Sequence, residues 1–134
     1  MKLAALLLLA VALPCAAADS CFSYQGEVTL KGTLSRHTFP EQPNYESIAK
    51  GDAAATYFFV SPAKPFCVAG GDTHFNEPDE QSIKQVQLLL SHQDYGLLRP
   101  FLGKVVECHG RFSHAISGHH HAPVLLSEAR CRAL

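Results

Sequence analysis

The chain has no tryptophan, a single methionine and few charges, with only 17 % of its 134 residues ionic. Eleven Lys and Arg stand against twelve Asp and Glu, and no basic block forms. Nucleic-acid binding by counterion release therefore has little to work with, and polybasic attachment to a membrane surface has no more. No Cys-x-x-Cys spacing occurs, which argues against a redox motif or a thiolate zinc site. There is no Gly-x-Ser-x-Gly elbow and no phosphate-binding glycine loop ahead of a helix. Nucleophilic catalysis and nucleotide chemistry lose their usual signatures. No apolar run reaches the roughly twenty residues needed to cross a bilayer.

What is present begins at the front. Met1-Lys2 gives a short basic start, Leu3 to Leu13 an apolar run, and Ala16-Ala17-Ala18 a small-residue exit. This is the build of a secretory signal peptide, with cleavage expected after Ala18. A lipoprotein reading centred on Cys15 fits poorly, because Pro14 stands where a small residue belongs. Residues 1–18 are thus read as the signal and 19–134 as one domain of ordinary size. The expected location is the periplasm or beyond it, with no stable membrane insertion after cleavage.

The mature part reads as short strands. Val28, Leu30 and Leu34 alternate with Thr29, Lys31, Thr33 and Ser35, with Gly32 on the inward face. His37 to Ala53 reads as a long polar connection, with a helical turn at Ser47 to Lys50 and with Tyr45 and Ile48 as candidate pins to the core. Thr56 to Val60, Phe66 to Val68 and Ile83 to Leu90 read as strands, and Thr73 to Ser82 as an exposed loop. Asp94 to Phe101 reads as a helical turn cut off by Pro100. Lys104 to Phe112 places Val106, Cys108, Gly110 and Phe112 inward. Val124 to Arg132 places Leu125, Ala129 and Cys131 on a common face. The first and the penultimate of these strands both set a glycine inward at the same step, which suits strongly coiled barrel strands. An all-β fold follows, a small five- to six-stranded OB-like barrel with one short helical turn, or alternatively a β-sandwich.

Four cysteines remain after the signal: Cys21, Cys67, Cys108 and Cys131. An even number in an oxidising compartment predicts two disulfides. Cys108 and Cys131 lie inward on strands joined by one connection, which pairs them and leaves Cys21 for Cys67. Free buried thiols at Cys108 and Cys131 are the alternative.

Two longer stretches carry a resemblance. Val28 to Leu34, Thr38-Phe39-Pro40, Pro43 to Ile48 and Gly51-Asp52 form the first. Val86-Gln87-Leu88, Tyr95, Arg99-Pro100, Leu102 to Val105, Gly110 and Gly118 to Leu126 form the second. Together they resemble domain-of-unknown-function family 4431. The resemblance implies a small exported bacterial domain and brings no activity, substrate or cofactor with it.

Eight histidines is a high count for this length. His114, His119 and His121 fall within one turn and are candidate ligands for zinc or copper, with Glu46 or Asp52 as a possible oxygen donor. The competing readings are hydrogen bonding that anchors the long loop through Glu46 or Tyr45, and pH sensing. Asp52 and Glu46 also suit turn capping. Tyr45, Glu46, Asp52, Arg99, His114, His119 and His121 form the candidate binding set, with Arg36, Tyr57, Tyr95 and Arg111 behind them and local salt bridging as the other role for Arg99. The expected function is a non-catalytic binding module for an envelope glycan or protein. Metal binding at the histidine turn is the alternative, and a small hydrolase trails both.

Overall fold

A computed structural model of the chain describes residues 20–134. The expected signal peptide, its cleavage point and Cys15 lie outside the described residues.

The elements are β1 (Phe22–Ser23), β2 (Val28–Pro40), β3 (Ala54–Ser61), β4 (Phe66–Ala69), β5 (Glu80–Ile83), β6 (Val86–Leu88), α1 (His92–Leu98), β7 (Val105–His114) and β8 (Val124–Ala133). Five strands close into a ring in the order β2-β3-β6-β8-β7. Neighbours are antiparallel except β6 and β8, which pair parallel. Counted among themselves, the ring strands run 1-2-3-5-4 and return to 1, with α1 between the third and fourth. That is an OB-like Greek key, the first of the two expected architectures.

Alternation sets the strand faces. Leu30, Gly32 and Leu34 of β2 point inward while Thr29, Lys31 and Thr33 are exposed. Val60, Val86, Leu88, Val106, Cys108 and Leu126 join them in one apolar core. Both inward glycines are needed for close approach. A Cβ at Gly32 would lie 2.4 Å from the Ser61 carbonyl oxygen, and one at Gly110 would lie 2.5 Å from that of Ser127. Such strands can coil tightly only where no side chain intervenes.

Helix α1 packs against this core. Ser91 and Asp94 form a capping box at its start. Leu98 is buried, and the Tyr95 ring meets Phe58 edge-on at 4.9 Å between centroids. The α-helix stops at Leu98, just ahead of Arg99-Pro100, as expected. Pro100 sits inside a following 3-10 turn, Arg99–Phe101, where its missing N–H is not required.

The remaining strands form a small sheet of order β1-β4-β5. Cys21–Cys67 ties β1 to β4, and Cys108–Cys131 links directly paired residues of β7 and β8. Both expected pairings are therefore present. Phe22, Phe66 and Phe112 stack the small sheet onto β7, with centroids 5.3 to 5.7 Å apart. The Tyr24 hydroxyl donates to the Pro78 carbonyl, and burial, aided by the Glu80 charge, pushes the phenol up to about 12.

Several expectations need correction. β2 runs on to Pro40, because His37 to Pro40 pair with Ala54 to Tyr57. The loop that follows is correspondingly shorter, although its helical turn is present at Ile48–Lys50. Tyr45 and Ile48 do not reach the core; they are 38 % and 45 % exposed. Thr73 to Ser82 contains a 3-10 turn and most of β5. The single strand expected over Ile83 to Leu90 is split, since Ile83 pairs with Phe66 in the small sheet while Val86 pairs with Val60 in the ring. Finally, Leu125 is not on the face of Ala129. The β7–β8 register shifts between the two, where Glu128 adopts a left-handed backbone, so Val124 and Leu126 turn inward instead.

Candidate functional site

The candidate site lies on the outer face of β3 and β6, where two loops meet. Phe59, Gln87 and Leu125 occupy one register row across β3, β6 and β8, and all are buried although they face away from the barrel. The His37 and Phe39 rings pack on Phe59, and the loop between β7 and β8 lies over Gln87. Gln87 clamps that loop: its Nε2 donates to the His119 carbonyl at 2.9 Å, and its Oε1 accepts from the His121 N–H at 2.6 Å. The His121 ring then stacks on Phe39, with centroids 3.8 Å apart and planes 3° from parallel.

Glu41, the first residue after β2, is the centre of the junction and only 6 % exposed. Its Oε1 accepts from the Tyr57 hydroxyl at 2.7 Å and lies 3.4 Å from His121 Nε2. Its Oε2 lies 2.5 Å from His119 Nδ1, outside hydrogen-bond alignment. Burial pushes the carboxyl upward, but Tyr57, His121 and His119 together outweigh it and hold Glu41 below the usual range. Burial, with the Glu41 contact behind it, pushes the Tyr57 phenol up, so the hydroxyl keeps its proton and acts as donor.

Asp52 organises the other loop from within. Its Oδ1 accepts from the N–H and side-chain amide of Asn44, and its Oδ2 from the N–H groups of Glu46 and Ser47, at 2.8 to 3.1 Å. The Ser47 and Glu46 backbone bonds hold its carboxyl low against burial. Tyr45 is aimed by this arrangement at the histidine loop, with its ring over Gly118 and edge-on to His119 at 5.9 Å. A cavity of about 300 Å³ opens beside the junction, lined among others by Tyr57, Gln87, Leu89, Tyr95, His119 and His120. His120 is held below its usual pKa by burial and by the two flanking histidines.

The candidate residues separate into groups. His119 and His121 come together on Glu41, Tyr45 reaches them through His119, and Asp52 acts only within the Tyr45 loop. Glu46 contributes only its backbone, and its side chain is exposed. His114 stands apart, with its Nε2 2.9 Å from Glu80. The three histidines thus do not converge as the metal reading required, and among the described residues no three His, Cys, Asp or Glu side chains are placed to hold an ion. Arg99 has no carboxylate partner among the described residues and lines a separate cleft, whereas Arg111 lies 3.9 Å from Glu128. The nearest approach to a hydrolase relay is Thr29 Oγ1 at 3.0 Å from His109 Nδ1, with His109 Nε2 3.3 Å from Glu107. It lies on the outer faces of β2 and β7, and neither Thr29 nor His109 lines the cavity beside Glu41 or the Arg99 cleft.

Residues 85–127 match the family model of a domain of unknown function, DUF4431. The DUF4431 match takes in Gln87, α1, β7 and the histidine loop, so one half of the junction lies inside it. It bears out the family resemblance over that stretch. No curated protein and no solved structure matches the chain.

Sequence reasoning missed Glu41 and Gln87. Glu41 sits in a polar stretch with its histidine partners some eighty positions away. Gln87 lies between two inward residues, where a strand pattern assigns it to solvent.

Proposed function

We propose that the chain is a non-catalytic binding module of the cell envelope, in the periplasm or secreted, and that its ligand is an envelope glycan. Two disulfides suit an oxidising compartment, and no helix among the described residues is long and apolar enough to cross a membrane. The observation that carries the reading is the Glu41 junction. It joins two loops into one wall beside a cavity. A wall held by such contacts lowers the ordering cost of binding, and cavities mixing ring surface with a few fixed polar groups are the usual form of small-ligand sites. Tyr57 and Tyr95 offer ring faces within this cavity, Tyr45 adds an exposed ring beside His119, and His119 and His120 offer polar edges, a combination that suits the C–H faces and hydroxyls of sugars. OB-like barrels place oligosaccharide ligands on this face and these loops; the extension to this chain is analogy.

The test is co-sedimentation with purified cell-wall glycan. The wild-type protein is expected in the pellet, with retention falling severalfold in Tyr45→Ala, whose ring is exposed and outside the core. No pelleting of the wild type, or equal pelleting of both proteins, overturns the glycan reading. Cross-linking from position 45 to an envelope protein, without glycan retention, would move the ligand to the protein class.

A further inference from the structure

The chain has five arginines. Three have carboxylate partners: Arg111 with Glu128, Arg130 with Glu27 and Arg132 with Glu107. Arg36 and Arg99 have none among the described residues, and these two line the same cavity. It measures about 560 Å³ and lies between the β2–β3 ribbon and α1. Its remaining walls include Thr56, Phe58, His92 and Tyr95, and no carboxylate lines it.

We propose that this cleft is an oxyanion site for a carboxylate or phosphate group carried on a ligand of sugar size. Unpaired guanidinium groups brought to one cavity raise the local potential and draw an anion. Each presents a flat fork of N–H donors that matches the paired oxygens of a carboxylate or phosphate. Tyr95 adds a ring against which the rest of a ligand can lie. The volume exceeds what a bare oxyanion fills, which leaves room for a carrier against the Tyr95 ring. Thr56 is suited to such a carrier. It shares one hydrogen bond with Thr38 at 2.7 Å, and that pair of hydroxyls holds two hydrogens, of which the shared bond uses one. The site is separate from the Glu41 junction, since the two cavities have only Tyr95 in common, and it stands whether or not the protein binds cell-wall glycan.

The experiment is an NMR titration of the disulfide-bonded protein with inorganic phosphate, glucuronate, glucose 6-phosphate and glucose. The two acidic sugars are expected to shift amides around Arg36, Tyr95 and Arg99, while glucose leaves them unmoved. Whichever acidic sugar binds more tightly identifies the oxyanion. Arg36→Gln and Arg99→Gln should each weaken binding about tenfold, the equivalent of about 1.4 kcal/mol, and Arg36→Lys should fall between. Arg130→Gln removes a paired surface arginine and should change nothing. Both cleft arginines are exposed, and the spectra themselves report that each variant is folded. No binding of either acidic sugar at millimolar concentration overturns the site, as does unchanged binding in both glutamine variants. Inorganic phosphate binding as tightly as glucose 6-phosphate would overturn the sugar-sized carrier.

Discussion

Val60 and Val86 share one side of the β3–β6 pair, and Phe59 and Gln87 share the other; all four are fully removed from solvent. The valines face the barrel and are held by close packing, which has no preferred direction. Phe59 packs against His37 and Phe39, and Gln87 faces the β7–β8 loop, where the decisive contacts are two hydrogen bonds made by one amide side chain. The inner face fixes that a barrel forms. The outer face fixes where a loop lies on it. Burial alone does not tell the two apart; what the buried group can donate and accept does.

The largest blow falls on the inner side. Replacing Cys108 and Cys131 together by alanine should lower stability by about 2–5 kcal/mol, read from urea unfolding, while the Gln87 clamp survives in the folded protein. Next comes the outer side. Gln87→Leu keeps the volume but leaves the His121 N–H and His119 carbonyl without partners, at a cost of about 1–3 kcal/mol. Amide exchange should accelerate at residues 119–121 and stay slow at Val60 and Val86. Uniform acceleration would show that the two faces form one cooperative unit and erase the distinction. The smallest effect is the pH dependence from Asp52. Its carboxyl is held low in the folded state, so its contribution is fully present above the unfolded value of about 3.9 and is lost as pH falls through the folded one. Asp52→Asn should therefore be less stable than wild type at pH 7, with the gap closing below about pH 4. A gap that stays constant down to pH 2 would mean that the Asp52 loop is held by something other than its charge.

The inner face was legible in the sequence and the outer one only in part. Period-two alternation from Val28 to Leu34 and from Val106 to Phe112 needs nothing beyond the strand itself. The cysteine pairing followed from the same alternation, and the matching glycines pointed to a barrel. The outer layer depends on contacts between distant segments. Asp52 was readable as a loop organiser because its partners are five to eight residues away. Glu41 was not, because its histidines arrive from the far end of the chain. Leu125 was misplaced for a local reason: the register shift before Ala129 changes the phase, and no residue type announces it. The histidine cluster was visible as composition, yet its geometry divides it between Glu41 and Glu80.

β6 has a consequence for how the molecule opens. It spans three residues, touches β8 at two register positions, and among the described residues is the only strand that makes the ring continuous on that side. Like the clasp of a bracelet, it is the shortest piece and the one that determines whether the band is shut. Gln87 lies within it, and the histidine loop hangs from Gln87. A force applied to that loop therefore reaches the clasp through Gln87 as well as through the backbone of β7 and β8.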